Sequence, residues 1–378
     1  MYLRLKSCSI PHPLACIDHK PVHHYTLGGR IRKKLIQRNF DDFDWVNGGP
    51  AGPIKFIDLH QLEFAVSNAR KGNMLAAQML NLYRDGIKQL IVPHHGGACQ
   101  YSTGPIWNNR NQLISLTGQA IALQAMALGA SLRRRRSEFD LGTGINSFVQ
   151  TNGRKFSLSP SSAVSRAVDP NFALNSRLRD NAWYAIALHR FAIAYQSRRL
   201  AQEAERLFDA VTGFHAESSC HEDSGTLPSL ALDSLVAVSE ALTYFGTALG
   251  KFHLLHEARS LICESVSDHA HIDGGYTQAR QQKADPDAGI DIDCTIDLLR
   301  TCLALLKCVP NHRLMSIVRH GVAALFDPAI AMARRPEAGI LIVADALGEV
   351  SPWQSLARQP RNYSNQISPA RFRLQSRG

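Results

Sequence analysis

The sequence predicts an all-α protein assembled from successive helical hairpins. Three observations predict it. Apolar residues recur at three- and four-residue spacing through the middle of the chain, strand-like alternation is almost absent there, and the periodic segments are separated by short connections rich in Gly, Pro and Asn. A tight connection leaves neighbouring helices no partner but each other, so antiparallel hairpins follow.

The periodicity marks helices over Leu59 to Arg70, Met74 to Gln89, Gln112 to Leu132, Arg179 to Gln196, Leu200 to Thr212, Leu230 to Leu249, Phe252 to Asp268, Ile292 to Cys308 and His312 to Leu325. Gly72-Asn73, the stretch from Asp268 to Gly275, and Val309-Pro310-Asn311 punctuate them. Residues 137–178 break the rhythm with glycines, prolines and many Ser, Thr and Asn, and read as a loop-rich excursion. Ala338 to Ala344 is a short apolar run of strand type, and residues 351–378 read as a disordered basic tail.

Two loops resemble each other. His95-Gly96-Gly97-Ala98-Cys99-Gln100-Tyr101 and Ile272-Asp273-Gly274-Gly275-Tyr276 each follow a long helix and pair two glycines with a Tyr. Recurrence of one device between helices implies a repetitive array, either an open solenoid or a closed toroid. In a toroid such loops ring the mouth of a central cavity, which is where a pocket is expected.

The 378 residues carry 45% hydrophobic and 20% charged residues, too apolar for a disordered chain. No stretch approaches the roughly 18–20 apolar residues of a membrane span, so a cytoplasmic protein without membrane contact is expected. The net charge of +10 is uneven: residues 1–38 carry +7, Arg133 to Arg136 +4 and residues 351–378 +5, which leaves the remainder at −6. The basic clusters lack interleaved aromatics, which speaks against nucleic acid and leaves a protein partner at the basic termini open. Eight cysteines, at positions 8, 16, 99, 220, 263, 294, 302 and 308, include no CxxC pair. Cys294, Cys302 and Cys308 read as core thiols, and the ligand-rich patch Cys220-His221-Glu222-Asp223 reads as chance rather than a metal site. Neither metal nor cofactor is expected.

Four stretches resemble the helical part of the spermatogenesis-associated thioredoxin-domain proteins, in which a thioredoxin-like domain precedes an (α/α) toroid. Gly48-Gly49-Pro50-Ala51-Gly52-Pro53-Ile54-Lys55-Phe56 is similar to that family's glycine-rich lead-in, and the segment from His95 to Thr103 with Trp107 to its Gly-Gly-x-Tyr-x-Tyr stretch and following Trp. Arg179-Asp180-Asn181-Ala182-Trp183 and the segment from Ala333 to Leu341 resemble two later ones. The resemblance spans residues ~45–350 and implies an all-α, six-hairpin-glycosidase-like (α/α) toroid over residues 45–350, flanked by a basic extension at 1–44 and the tail, with a ring that is incomplete or modified.

The departures bear on function. Asn108-Asn109-Arg110-Asn111-Gln112 replaces the family's Pro-His-aromatic-Glu-Lys after the Trp. The family's acid-rich stretch is replaced by Phe148 to Arg154, and residues 1–44 are too short for a thioredoxin fold. Thiol-disulfide chemistry is therefore not expected. The expected function is a non-catalytic or weakly catalytic toroid that binds a carbohydrate-like or small polar ligand, or that scaffolds a partner. The alternative is a glycosidase or epimerase with acids facing each other across the cavity.

For that alternative the catalytic candidates are Asp180 and Asp293. Asp180, Asp291 and, to a lesser degree, Asp293 are also explained as helix caps. An epimerase needs His as acid and base, for which His94 or His95 could serve, although a structural loop role explains both. Ligand-binding candidates at the predicted rim are His95, Tyr101, Trp107, Asn109, Asn181, Trp183, Asp273 and Tyr276, aromatics to stack on sugar faces and polar groups to bind hydroxyls. Core packing is an equal explanation for Trp107 and Tyr276 and the better one for Trp183.

Overall fold

The computed structural model describes residues 26–111, 114–152, 170–220, 230–278, 289–333 and 338–357. In chain order the helices are α1 (Gly29–Asp41), α2 (Leu59–Arg70), α3 (Met74–Leu90), α4 (Leu116–Ala130), α5 (Arg136–Thr151), α6 (Pro170–Tyr195), α7 (Arg198–Cys220), α8 (Leu232–Ala248), α9 (Phe252–Ser265), α10 (Ile292–Cys308), α11 (His312–Leu325), α12 (Pro328–Ala333) and α13 (Ala338–Ala357). Two short strands, β1 (Ile54–Phe56) and β2 (Tyr101–Thr103), pair antiparallel with Ile54 opposite Thr103 and Phe56 opposite Tyr101.

Alternate helices form an inner ring. α2 packs on α4, α4 on α6, α6 on α8, α8 on α10, α10 on α13, and α13 returns to α2. Outside it, α3 packs on α2, α5 on α4, α7 on α6, α9 on α8, α11 on α10 and α1 on α13. Each inner helix follows an outer one, so all six run in the same direction with their N-terminal ends at one mouth. The fold is an (α/α) toroid, and its ring is closed rather than incomplete.

The missing hairpin lay where the sequence pattern was weakest. α1 falls in the segment read as a basic extension, yet Arg32 pairs with Asp345 of α13 and Arg38 Nη1 donates to the Met332 carbonyl at 3.1 Å. Ala338 to Ala344, read as strand-like, belongs to α13. Its Ile340 and Val343 are buried, and such packing overrides β-branched propensity. α5 occupies Arg136–Thr151, where a loop was expected, while residues 153–169 and 358–378 lie outside the described residues.

Inner and outer helices differ in composition for a packing reason. Eleven of the fifteen residues of α4 are buried, because an inner helix touches two ring neighbours and an outer partner. It is accordingly apolar nearly all round and rich in Ala, which lets helix axes approach. α11, on the outside, keeps an apolar stripe and an exposed charged face. Starts are set by side-chain caps: Asp58 on Gln61 N (2.9 Å), Asn73 on Ala76 N (3.1 Å), Ser115 on Gly118 N (3.0 Å) and Asp291 on Cys294 N (2.9 Å). The tight inner-to-outer turns use residues with positive φ, Gly72 at +88° and Gly250 at +66°.

The repeated glycine loop is real and occurs a third time. Gly48-Gly49, Gly96-Gly97 and Gly274-Gly275 each lie between an outer and an inner helix. Each closes on an isolated antiparallel bridge, Phe43 to Pro50, Ile91 to Ala98 and Ala270 to Tyr276. Among the described residues no helix is long and apolar enough to cross a membrane.

One polar link holds the outer layer. Arg84 of α3 binds Glu138 of α5 through two hydrogen bonds, Nε to Oε1 at 2.9 Å and Nη2 to Oε2 at 2.6 Å, and Tyr195 OH donates to Oε2 at 2.9 Å. Both charged side chains are 2% exposed. Removing one partner strands the other without water, so Glu138→Ala should lower unfolding stability by about 3–5 kcal/mol, measurable by urea denaturation.

Candidate functional site

Residues that recur at helical spacing on the inner faces, most of them polar, converge on one central cavity. Thr117, Ile121 and Gln124 of α4 and Asp293, Asp297 and Arg300 of α10 occupy positions i, i+4 and i+7, one stripe of each helix. With Phe56 to His60, Ala120, Trp183 of α6 and Glu240 of α8 they line a cavity of about 680 Å³. It begins at the N-terminal ends of the inner helices. Gln124, Glu240 and Arg300 each lie eight residues beyond the start of their helix, about 12 Å deeper at 1.5 Å per residue.

Charge concentrates on the walls made by α2, α8 and α10. Arg300 Nη2 binds Glu63 Oε2 at 2.5 Å, and its Nη1 stands 3.6 Å from Asp297 Oδ1. His60 Nε2 approaches the same Asp297 oxygen at 3.3 Å. These contacts tie α10 to α2 past α13, where the residue is Gly339. A Cβ there would stand 2.9 Å from His60 Nδ1 and 2.8 Å from Ile296, so a larger residue would push the two helices apart. Glu240 is held by Arg190 Nη2 at 3.3 Å, and the Arg190 guanidinium lies over the Tyr244 ring, 4.9 Å from its centroid.

The two carboxyls of this cluster are pushed in opposite directions. Burial raises the Glu240 pKa, and the Asp297 and Glu63 charges add to it against the opposing pull of Arg190 and Arg300. Burial also works against ionisation of Asp297, but the His60 hydrogen bond and charge, with Arg300 and Arg190, outweigh it and lower its pKa. One cavity thus holds an acid inclined to keep its proton and an acid inclined to lose it. In the ring order α8 stands across from α2 and beside α10; His60 is the second residue of α2 and Glu240 lies eight residues into α8.

Of the candidates read from the sequence, Asp293 and Trp183 line the cavity. The Arg179 guanidinium covers the Trp183 ring at 5.6 Å, so this Trp serves the cavity wall and not the core alone. Asp180 lies just behind the wall, accepting from Thr117 Oγ1 at 3.0 Å and from Arg179 Nε at 2.8 Å. Its neighbour Asn181 is half-buried and does not line the cavity.

The loop candidates do not reach the cavity. Trp107 is buried, donates from Nε1 to the Asn47 carbonyl at 2.8 Å, and lies so close to Gly86 that a Cβ there would be 2.4 Å from its ring. Tyr276 is also core, donating to the Ile317 carbonyl at 2.9 Å. His95 accepts from Gly97 N at 3.1 Å and stacks on Phe148, Asn109 closes its own loop on Thr103, and Asp273 is exposed on its turn. Tyr101 accepts from Asn111 Nδ2 at 2.7 Å on β2. The glycines at these loops serve close packing, and Trp107 and Tyr276 are turned inward between helices, away from the ring axis. Cys302 is buried as expected, but Cys308 is exposed. Residues 221–223 of the Cys220 patch lie outside the described residues.

Sequence reasoning missed Glu240, Asp297, Arg300, Glu63, Arg190 and His60. The available signal was a charge inside an otherwise apolar helix, as Glu240 is in Leu232–Ala248. Charges seldom enter a buried face unless paired or used.

No protein-family model matches the chain, and no curated protein matches it. Solved structures do. A sugar epimerase from a ruminal bacterium superposes with a TM-score of 0.57 at 12% identity, covering 78% of this chain and 85% of its own. Cellobiose 2-epimerase from Spirochaeta thermophila DSM 6192 gives 0.60 at 13%, covering 86% and 98%. A D-mannose isomerase gives 0.59 at 12%, covering 86% and 96%. At these identities the likeness establishes the fold.

The opposite shifts make opposite predictions for stability. Glu240 has a folded pKa above its unfolded value, so its contribution is full at low pH and is lost as pH rises through the folded pKa. Glu240→Gln should therefore raise Tm near neutral pH, with the gain vanishing below about pH 4. Asp297, with a lowered folded pKa, contributes above its unfolded pKa and loses that contribution in acid. Asp297→Asn should lower Tm at neutral pH, and the gap should close on acidification; thermal unfolding across pH checks both.

Proposed function

We propose that the cavity binds the reducing end of a sugar and transfers a proton at the carbon beside its carbonyl, giving epimerisation or aldose–ketose isomerisation. The observation that carries this reading is one cavity lined by Glu240 and by the His60–Asp297 pair, with the two carboxyls driven apart in pKa. Removal of the C2 proton leaves its electron pair in a C1–C2 enediolate whose charge rests on oxygen. Return of a proton to the opposite face of C2 gives the epimer, and return to C1 gives the ketose. Epimerisation needs proton-transfer groups on both faces of C2, isomerisation needs one group that carries the proton from C2 to C1, and neither needs an oxidant or reductant.

In this reading Glu240 serves one face and His60, oriented by Asp297, serves the other. Arg300 and Arg190 stand beside them as fixed positive charge for the developing oxyanion. The names of the similar structures, sugar epimerases and a sugar isomerase, support a carbohydrate ligand. A second reading, a sugar binder without turnover, is favoured by the pairing of Arg300 with Glu63 and of Arg190 with Glu240, which already satisfies the strongest charges in the cavity.

The test is proton exchange in D₂O. Wild-type protein incubated with D-glucose, D-mannose or cellobiose should introduce deuterium at C2, followed by proton NMR, and Glu240→Gln should slow this by about 10²-fold or more while a sugar-induced rise in Tm persists. A rise in Tm without exchange in the wild type selects the binder. No rise with any sugar overturns the carbohydrate reading.

A further inference from the structure

The strand beside the cavity mouth inverts the usual rule of burial. In β1 the middle residue, Lys55, is wholly buried, while its neighbours Ile54 and Phe56 are 45% and 39% exposed. Alternation of side chains requires this once Lys55 points inward, and Lys55 is held there by Asp44 Oδ2 at 2.7 Å and the Pro50 carbonyl at 2.9 Å. Asp44 is itself fixed by the Val46 and Asn47 N–H groups, each at 2.9 Å. A buried ion pair thus keeps an aromatic ring out of the core, at a place where it lines the cavity.

Phe56 is not alone on that face. Tyr101 is its directly opposed cross-strand partner, so both rings project to the same side of the β1–β2 ribbon. Below them, Trp183 of α6 lies three residues beyond Asp180, which Thr117 binds at the start of α4. The cavity therefore runs from Phe56 at its lip to Glu240 and Arg300, about 12 Å beyond the starts of their helices. One pyranose ring at the charged end leaves the lip unfilled.

We propose that Phe56, backed by Tyr101, is a stacking subsite for a second sugar ring, and that the chain takes a reducing disaccharide in preference to a free monosaccharide. This rests on the sugar reading above and sharpens it, since the similar structures include both a cellobiose 2-epimerase and a D-mannose isomerase. The apolar face of a pyranose suits an aromatic ring, while Thr117 and Asp293 at the same level offer polar atoms to its hydroxyls.

Titration calorimetry with D-glucose and cellobiose tests it without requiring turnover. Wild-type protein should bind cellobiose about tenfold more tightly than glucose. Phe56→Ala should remove that advantage and leave the glucose Kd within about twofold, and Phe56→Trp should restore it. As Phe56 is partly exposed, circular dichroism should show all three proteins equally folded. Glucose binding with no preference for cellobiose, or a preference that survives Phe56→Ala, overturns the subsite and leaves the sugar reading standing. Binding of neither sugar overturns both.

Discussion

Closure of the ring between α10, α13 and α2 is the constraint on which the site depends. α13 starts with Ala338 and Gly339, and the absent side chain at 339 gives room for His60 on one flank and Ile296 on the other. Two helices that are not ring neighbours can therefore exchange charges, Arg300 to Glu63 and His60 to Asp297. The helix that supplies the gap is also the one that pairs with α1, so the two ends of the described chain meet at this seam.

From that closure the electrostatics follow. Inner helices packed on both flanks can show polar groups only toward the axis, and each charge placed there loses water and must find a partner. Arg300 and Arg190 answer three surrounding carboxylates unequally: Asp297 also has His60, whereas Glu240 has Arg190 with negative neighbours beyond. The split between the two acids is a product of ring geometry, which the spacing within either helix does not show.

Much of the fold was legible because helices reveal themselves locally. Leu59–Arg70, Ile292–Cys308 and His312–Leu325 have the limits their periodicity suggests. α1 and α13 were hidden for opposite reasons: Lys and Arg crowd the exposed face of the first, and β-branched residues fill the buried start of the second. The site was less legible. Asp293 was found from its place at a helix start and Trp183 from a start expected at Arg179, although α6 begins at Pro170, but Trp107 and Tyr276, the most conspicuous aromatics of the glycine loops, pack between helices. Glu240 and His60 line one cavity only through a ring order that joins residues 180 positions apart, and no local pattern encodes that.

The most direct measurement of the central claim is a crystal structure of the protein with an open-chain sugar alcohol, such as sorbitol, at saturating concentration. An acyclic polyol resembles the ring-opened sugar at which proton transfer would occur. The account predicts the polyol lying along the ring axis with its C1–C2 end between Glu240 and His60. A polyol bound elsewhere, or a side-chain arrangement in which those two residues do not face one another across the cavity, would contradict it.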